Sequence, residues 1–207
     1  GALWYIAMPG AARGTLTERH LLPDSAKVID TEGGLGELAA LLSESSEFAV
    51  DTESNSFYNY REKVCLLQVS TPEADYIVDT IAVPDLSTLE PIFADVEKQK
   101  VFHAAENDIL LLKKHHAFRI RNVFDTLLAA QILGYREVGL ASLVGKLFSV
   151  RMDKAEQRSD WSRRPLSEDQ IAYAVRDTRY LIRLRDHLKG ELHGVGRIVA
   201  AVEEFTR

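Results

Sequence analysis

Four acidic residues and one tyrosine, spread over three segments of the chain, have the types and the local spacing of a metal-binding site. They are Asp51, Glu53, Asp108, Tyr173 and Asp177. Asp51 and Glu53 end an apolar run that is typical of a β-strand, where residues two apart point to the same face. Tyr173 and Asp177 are four apart in a helix-like segment, so they lie on one side of it. Each acid alone has an ordinary structural explanation, and it is their combination that predicts a site.

The chemistry of such a cluster follows from its charge. Carboxylates that converge within a few ångströms repel one another, and some must take up protons unless cations join them. Oxygen ligands favour Mg²⁺ or Mn²⁺ over zinc, and two such ions about 4 Å apart can support hydrolysis of a phosphodiester. A phenol with a pKa of about 10 stays protonated at neutral pH. We therefore expect two divalent cations at the acids, and Tyr173 to orient the attacking water rather than to act as the base.

The bulk composition limits the classes of protein that fit. With 207 residues, 46% of them hydrophobic, the chain can bury one substantial core, and a single domain is the default expectation. The net charge of −6 argues against a general polycation that binds nucleic acid nonspecifically, although a local basic strip could still contact a backbone. The single cysteine, Cys65, permits no internal disulfide, so we expect a reducing, cytoplasmic location. No segment approaches the roughly 20 apolar residues of a membrane span, and no membrane contact is expected.

The hydrophobic periodicity predicts helices and strands that can carry these residues. Strands are predicted at 47–54, 64–71, 74–80, 100–105 and 118–125, and helices at 33–46, 83–96, 106–117, 125–134, 139–150, 166–192 and 195–205. Residues 71–73 are typical of a hairpin turn between the second and third strands. Asp125 is placed as a helix N-cap with Gly134 past the end of that helix, and Ser167 with Gln170 fits a capping box.

This order of elements indicates an α/β fold. Three consecutive strands followed by alternating helices and strands predict a mixed sheet with helices on both faces. Ligands of such sheets bind beyond the strand ends. Asp51 and Glu53 lie at the end of the first predicted strand, and His103 lies at the end of the fourth, with Asp108 one turn into the next helix. These positions converge if the two strands are neighbours.

Three motifs occur in a characteristic order. The first covers residues 48–53 and continues at 60–68, the second is His103 followed by Asp108, and the third runs from Tyr173 to Asp177. With these motifs and their spacing, the chain resembles the ribonuclease D branch of the DEDDy 3′–5′ exonucleases, which have a ribonuclease H-like fold. The resemblance covers about two thirds of the chain, and the segments between the motifs, 124–130 and 154–166, are also typical of the ribonuclease D type.

The resemblance implies a domain division and a role for each motif residue. Residues 26–207 would form the 3′–5′ exonuclease domain, with a ribonuclease H-like mixed β-sheet flanked by helices on both faces, after an N-terminal arm or expression remnant at 1–25. Asp51, Glu53 and Asp177 would hold one ion, Asp51 would bridge to the second, and Asp108 would support the second partly through water. Tyr173 would position the water that releases nucleoside 5′-monophosphates, stepwise, from the 3′ end of tRNA or another small RNA.

Five further residues near the motifs are candidate substrate contacts: Thr52, His103, Gln157, Trp161 and Arg164. His103 could instead be a core histidine, and Trp161 could stack a base or pack its loop onto the core. The segment 151–164 has five basic residues against three acids, so Lys154, Arg158, Arg163 and Arg164 could bind phosphates or form a solvated loop.

Two alternatives to an exoribonuclease remain open from the sequence. The first is an exonuclease acting on single-stranded DNA, because no residue is recognisable as a reader of the 2′-hydroxyl. The second is a non-catalytic nucleic-acid-binding subunit whose acids hold no metal. In the main interpretation the partner is the single-stranded 3′ end of RNA, and no protein partner is predicted.

Overall fold

A mixed β-sheet forms the centre of the protein. The computed structural model describes residues 26–56, 62–153 and 155–205. In these residues it contains six strands, β1 (Lys27–Ile29), β2 (Glu47–Ser54), β3 (Val64–Ser70), β4 (Asp75–Asp79), β5 (Gln99–Phe102) and β6 (Val123–Asp125). Their order across the sheet is β1-β4-β3-β2-β5-β6. The expectations for residues 1–25 lie outside the described residues.

The sheet combines an antiparallel centre with parallel edges. β3 runs antiparallel to both β2 and β4, and the predicted hairpin between β3 and β4 is closed by the Thr71 amide, which donates to the Ala74 carbonyl at 2.9 Å. β1 pairs with β4, β5 with β2, and β6 with β5, all in parallel. All seven residues of β3 are buried, as expected for a central strand covered on both faces. β2 and β5 are neighbours, which is the condition for the first two motifs to converge.

Helices cover both faces of the sheet, as the sequence predicted. They are α1 (Glu32–Glu44), α2 (Glu90–Ala94), α3 (Glu106–His116), α4 (Thr126–Leu133), α5 (Leu140–Phe148), α6 (Glu168–Arg179), α7 (Leu181–Gly194) and α8 (Ile198–Phe205). One face carries a core that includes Leu38, Phe48 and Phe93, and the other face carries two smaller cores under α4, α7 and α6. Among the helices of the described ranges, none has the length and apolar character needed to cross a membrane.

The predicted caps form local hydrogen bonds. The Asp125 carboxylate accepts from the Leu127 and Leu128 amides at the start of α4, and Gly134 ends that helix with a φ of 83°. That left-handed backbone favours glycine because a Cβ atom would be strained there. The capping box of Ser167 and Gln170 is present at the start of α6. These contacts join residues at most four apart, which is why the sequence indicated them.

Four elements differ from the sequence-based expectation. The helix predicted at 166–192 is two helices, with a break at Tyr180. The helix predicted at 83–96 is a 3₁₀ turn, Ser87–Leu89, followed by the short α2. The strand predicted at 118–125 is limited to β6, and the three-residue edge strand β1 was not predicted. The break at Tyr180 has a packing reason, because α6 lies on β3 and β4 whereas α7 lies on β5 and β2.

Candidate active site

The first two acids lie on one face of β2. Asp51 pairs with Gln68 of β3 and Glu53 pairs with Leu66, across the antiparallel ladder. Leu66 packs with Ala174 of α6, so both carboxylates rise from the sheet face that α6 covers. Strand alternation places Thr52 on the opposite face. The local sequence therefore decides that Asp51 and Glu53 act together, and the sheet decides that they face α6.

Helix α6 brings the second pair of residues to the same place. Tyr173 and Asp177 lie one turn apart, and the Tyr173 hydroxyl is hydrogen-bonded to the Asp177 carboxylate. Asp51, Glu53 and Asp177 each offer a carboxylate oxygen, and these three oxygens lie within 4.8 Å of one another. Three hard oxygen donors this close together suit a divalent cation such as Mg²⁺ or Mn²⁺.

Two buried contacts hold the end of α6 against the sheet. The Thr178 hydroxyl and the Ser70 hydroxyl of β3 are hydrogen-bonded at 2.7 Å. The Arg179 guanidinium pairs with the Asp75 carboxylate of β4, with Nη2 at 2.7 Å from Oδ2 and both side chains 3% exposed. Thr178 and Arg179 directly follow Asp177, so these contacts fix the position of the Asp177 carboxylate over β2.

Asp108 joins the cluster from the other side of β2. It lies in the first turn of α3, and the Thr52 hydroxyl donates to Asp108 Oδ1 at 2.5 Å. The start of α3 is itself fixed, because the Asp125 carboxylate accepts from the amides of Ala104 and Ala105 at 3.0 and 2.9 Å. Asp108 is not one of the three acids whose oxygens converge most closely, but its charge raises the pKa of Asp51 and of Glu53. The four predicted acids therefore form one electrostatic unit.

Burial and the charges of neighbouring acids shift the pKa of every acid in this unit upward. Burial is the largest cause in each case. It raises the pKa of Glu53 to about 9, that of Asp108 to about 6 and that of Asp177 to about 7. The pKa of Asp51 is raised well above its ordinary value by burial and then by its three acidic neighbours. The bare cluster therefore cannot hold all four negative charges near neutral pH, and bound cations would remove the repulsion.

A cavity of about 650 Å³ opens over the acids. Asp51, Glu53, Asp177 and Tyr173 line it on one side, and the segment around Gln157 lines it on the other. One nucleotide with its neighbouring phosphate fits a space of this size, which lies within the usual range of about 300–1,000 Å³ for ligand sites.

Comparison with known proteins agrees with this geometry. A family model described as 3′-5′ exonuclease matches residues 26–193, which is most of the chain. The chain belongs to the 3′–5′ exonuclease family. It is 41% identical over 172 residues to protein RRP6-like 3 of Arabidopsis thaliana, covering 83% of this chain and 19% of that protein. It is 33% identical over 177 residues to the exosome complex exonuclease RRP6 of Saccharomyces cerevisiae, covering 85% of this chain and 24% of that protein.

Solved structures of two other exonucleases have the same fold. The catalytic core of RRP6 from Trypanosoma brucei superimposes with a TM-score of 0.84 at 34% identity, covering 87% of this chain and 51% of that chain. Escherichia coli RNase D, described as an exoribonuclease involved in structured RNA processing, superimposes with a TM-score of 0.82 at 30% identity, covering 87% and 48%. The ribonuclease D resemblance and the ribonuclease H-like mixed sheet are therefore confirmed. This chain spans about a fifth to a quarter of the length of the two curated relatives.

Four of the five candidate substrate contacts line the cavity of this exonuclease domain. Thr52, His103, Gln157 and Trp161 all border it. Thr52 uses its hydroxyl to hold Asp108, and Gln157 lies in a 3₁₀ turn, Ala155–Arg158. Trp161 is 1% exposed, and its ring centroid lies 5.9 Å from that of Tyr173. Most of its surface is therefore packed inside the protein, as the packing alternative expected.

Arg164 is not brought to the cavity. Its guanidinium forms a two-point ion pair with the Asp79 carboxylate of β4, with Nε and Nη2 at 2.5 and 2.6 Å from the two oxygens. It also donates to the carbonyls of Trp161 and Cys65 at 2.8 and 3.1 Å. These bonds tie the loop before α6 to the end of β4. The expected phosphate contact at Arg164 is therefore corrected. Its guanidinium donates to groups within the protein, and the residue has a structural role.

Two further residues belong to the site that the sequence did not single out. Asn107 lines the cavity one position before Asp108, and its place in the first turn of α3 beside a predicted ligand was the available signal. Gln68 is completely buried next to Asp51, and its amide nitrogen and oxygen have no hydrogen-bond partner in the described part of the chain. Arg158, a candidate phosphate contact, also lines the cavity, whereas Lys154 lies outside the described residues.

Proposed function

We propose that this chain is the catalytic domain of a metal-dependent 3′–5′ exoribonuclease. The observation that carries the proposal is the convergence of three carboxylates within 4.8 Å, with the Tyr173 hydroxyl bonded to one of them. Support for RNA as the substrate comes from the relatives, since RRP6 of S. cerevisiae is named an exosome complex exonuclease and E. coli RNase D is described as an exoribonuclease. The products would be nucleoside 5′-monophosphates.

The proposed cofactors are two divalent cations, Mg²⁺ or Mn²⁺. The donor set fits them, because it consists of carboxylate oxygens without histidine or cysteine. Asp51, Glu53 and Asp177 would hold one ion, and Asp108 would support the second. When bound, such ions lower the pKa of water and neutralise the charge that develops on the leaving oxygen.

The protein's own groups prepare this site for the reaction. Burial, together with the charges of Asp177, Glu53 and Asp51, raises the pKa of Tyr173 well above its ordinary value, so the phenol stays protonated. A protonated phenol cannot act as the base, and its role is to orient a water by hydrogen bonding. Thr52 keeps the Asp108 carboxylate in place, and the contacts of Thr178 and Arg179 do the same for Asp177. The chain thereby supplies positioned ligands, which reduces the reorganisation that catalysis requires.

A cleavage assay tests the proposed function. The protein is incubated with 5′-labelled single-stranded RNA or with DNA of the same sequence, in Mg²⁺, Mn²⁺ or EDTA. We expect a ladder of RNA shortened one nucleotide at a time, which EDTA abolishes, with nucleoside 5′-monophosphates as products. Asp51→Asn should abolish cleavage without unfolding, because it removes a ligand and not core volume. Glu37→Gln, at an exposed acid on α1, is the matched control and should cleave normally.

The other outcomes of this assay separate the alternatives. Binding of RNA without any shortening would favour a non-catalytic subunit, and shortening of DNA alone would favour an exodeoxyribonuclease. Processing of tRNA or other small RNAs is the finer proposal, and it is tested with a precursor tRNA carrying a 3′ extension. The cytoplasmic location is likewise a proposal, and it rests on the single buried thiol of Cys65.

A further inference from the structure

His103 lies beside the acid cluster, on the same face of the sheet as Asp51. Ala49 of β2 is in register with Val101 of β5, and both side chains belong to the same core under α4 and α7. Asp51 lies two residues further along β2 and continues on that face. His103 directly follows β5, and its ring contacts Thr126 of α4, the helix that packs on the same face. His103 is half-buried and lines the cavity. Its ring is therefore placed where the end of a bound strand would lie.

A chain of two hydrogen bonds determines which nitrogen of the His103 ring carries the proton. The Thr126 hydroxyl donates to the Phe102 carbonyl at 2.9 Å, and this donation uses its only hydrogen. His103 Nδ1 lies 2.9 Å from the same hydroxyl oxygen. Both hydrogen bonds form together only when Nδ1 is the donor and carries the ring proton. Thr126 is completely buried at the first position of α4, which is capped by Asp125, so the arrangement is rigid.

The other ring nitrogen, Nε2, is then a hydrogen-bond acceptor. Burial lowers the pKa of His103, so the ring is neutral and Nε2 carries a lone pair. Across the residues that the structure describes, Nε2 has no hydrogen-bond partner, whereas Nδ1 is engaged. A bare acceptor excludes a contact with a phosphate oxygen, because that oxygen also only accepts. The groups of a nucleotide that can donate to it are the hydroxyls of the ribose, the amino groups of adenine, cytosine and guanine, and the ring N–H groups of uracil and guanine.

We propose that His103 Nε2 accepts a hydrogen bond from a hydroxyl of the 3′-terminal ribose, and that this contact makes the site selective for the sugar. The inference rests on the proposed exonuclease function and deepens it, because it identifies a residue beside the metal ligands that would recognise the sugar of the substrate. The ribose is favoured over the base because its hydroxyls have the same position on every 3′-terminal nucleotide, whereas the donors of the bases differ in kind and position from one base to another. Thr126 acts as the positioning residue that holds the proton on Nδ1.

The test compares three RNA substrates that differ only at the last sugar: ribose, 2′-deoxyribose and 3′-deoxyribose. Removal of the first nucleotide is followed under single-turnover conditions for the wild type and for His103→Phe. We expect the wild type to cleave the end that lacks the bonded hydroxyl about 5- to 100-fold more slowly, because a buried acceptor is left unpaired. His103→Phe should cleave the ribose end and that deoxy end at rates within about twofold of each other, since it has no acceptor. The 2′-deoxy and 3′-deoxy ends show which hydroxyl is bound.

If His103→Phe folds poorly, two Thr126 variants and a direct measurement of the ring proton still test the inference. Thr126→Ser retains the hydroxyl and should keep the discrimination, whereas Thr126→Val removes it and should weaken the discrimination. In addition, ¹⁵N NMR of His103 should show a proton on Nδ1 and none on Nε2 in the wild type. A proton on Nε2, equal rates on all three ends by the wild type, or an equal slowing of all three ends in His103→Phe would each overturn the inference. Failure of the proposed function differs from these results, because unmodified RNA would then not be shortened at all.

Discussion

The stability of the metal-free protein should fall as the pH rises through the neutral range. The pKa of each carboxyl in the cluster is higher in the folded protein than in an unfolded chain, so the folded state binds protons more tightly. Their contribution to stability is therefore fully present below about pH 4 and declines as the pH rises through the pKa values of Asp108, Asp177 and Glu53, which are about 6, 7 and 9. Divalent cations should remove this decline, because they replace the lost protons.

The size of the effect follows from the individual pKa shifts. The pKa of Asp108 rises from 3.8 to about 6, which corresponds to about 3 kcal/mol at about 1.4 kcal/mol per unit. The pKa of Asp177 rises from 3.8 to about 7, which corresponds to about 4 kcal/mol. These carboxyls share their repulsion, so the two values do not add. A loss of about 3 kcal/mol lowers the melting temperature of a chain of this length by about 6 to 12 °C.

The assay is urea unfolding between about pH 5 and about pH 8, in EDTA and in saturating Mg²⁺, for the wild type and Asp177→Asn. The measured quantity is the difference between the two proteins, because buried histidines such as His103, whose pKa is lowered, contribute a slope of opposite sign. We expect the wild type in EDTA to lose about 3 kcal/mol relative to the variant over this range. Mg²⁺ at about 100-fold its dissociation constant should restore about 2.7 kcal/mol to the wild type. Parallel pH profiles for the two proteins in EDTA would show that the Asp177 carboxyl does not bind its proton more tightly in the folded state.

Three further substitutions test single residues of the site and its support. Tyr173→Phe should lower kcat by about 10- to 100-fold with little change in RNA affinity. The rate is measured by single-turnover cleavage, and the affinity is measured by RNA binding in Ca²⁺. An unchanged rate would contradict the water-orienting role of Tyr173. Arg164→Met leaves the buried Asp79 carboxylate without its charged partner, although the Ile81 and Ala82 amides still donate to it. The variant should lower the free energy of unfolding by about 2 kcal/mol, with kcat on the remaining folded protein nearly unchanged. A selective loss of RNA affinity would restore the phosphate-binding interpretation. Gln68→Met replaces by an apolar group an amide that has no hydrogen-bond partner among the described residues. It should stabilise the metal-free protein by about 1 kcal/mol, as followed by thermal unfolding. A destabilised variant would mean that the amide has a partner, such as an ordered water.

Much of the fold was predictable because its signals are local. The apolar run ending at Asp51 and Glu53 specified β2, and short-range hydrogen bonds of Asp125 and Ser167 specified the starts of α4 and α6. The break at Tyr180 was not predictable in this way. The helical pattern continues through it without a proline, and the break depends on which strands lie beneath each half.

The residue types and their spacing along the chain were enough to predict the chemistry of the site. The acids, the tyrosine and their spacing were sufficient to predict a metal-dependent nuclease site, because periodicity assigns side chains two or four residues apart to one face. The neighbours of each group, in contrast, depend on the three-dimensional packing. Tertiary packing pairs Arg164 with Asp79, places the buried Gln68 beside Asp51, and sets Thr126 against the ring of His103. These contacts join residues that are 17 to 85 positions apart, and their geometry depends on strand order and helix packing, which no local pattern specifies.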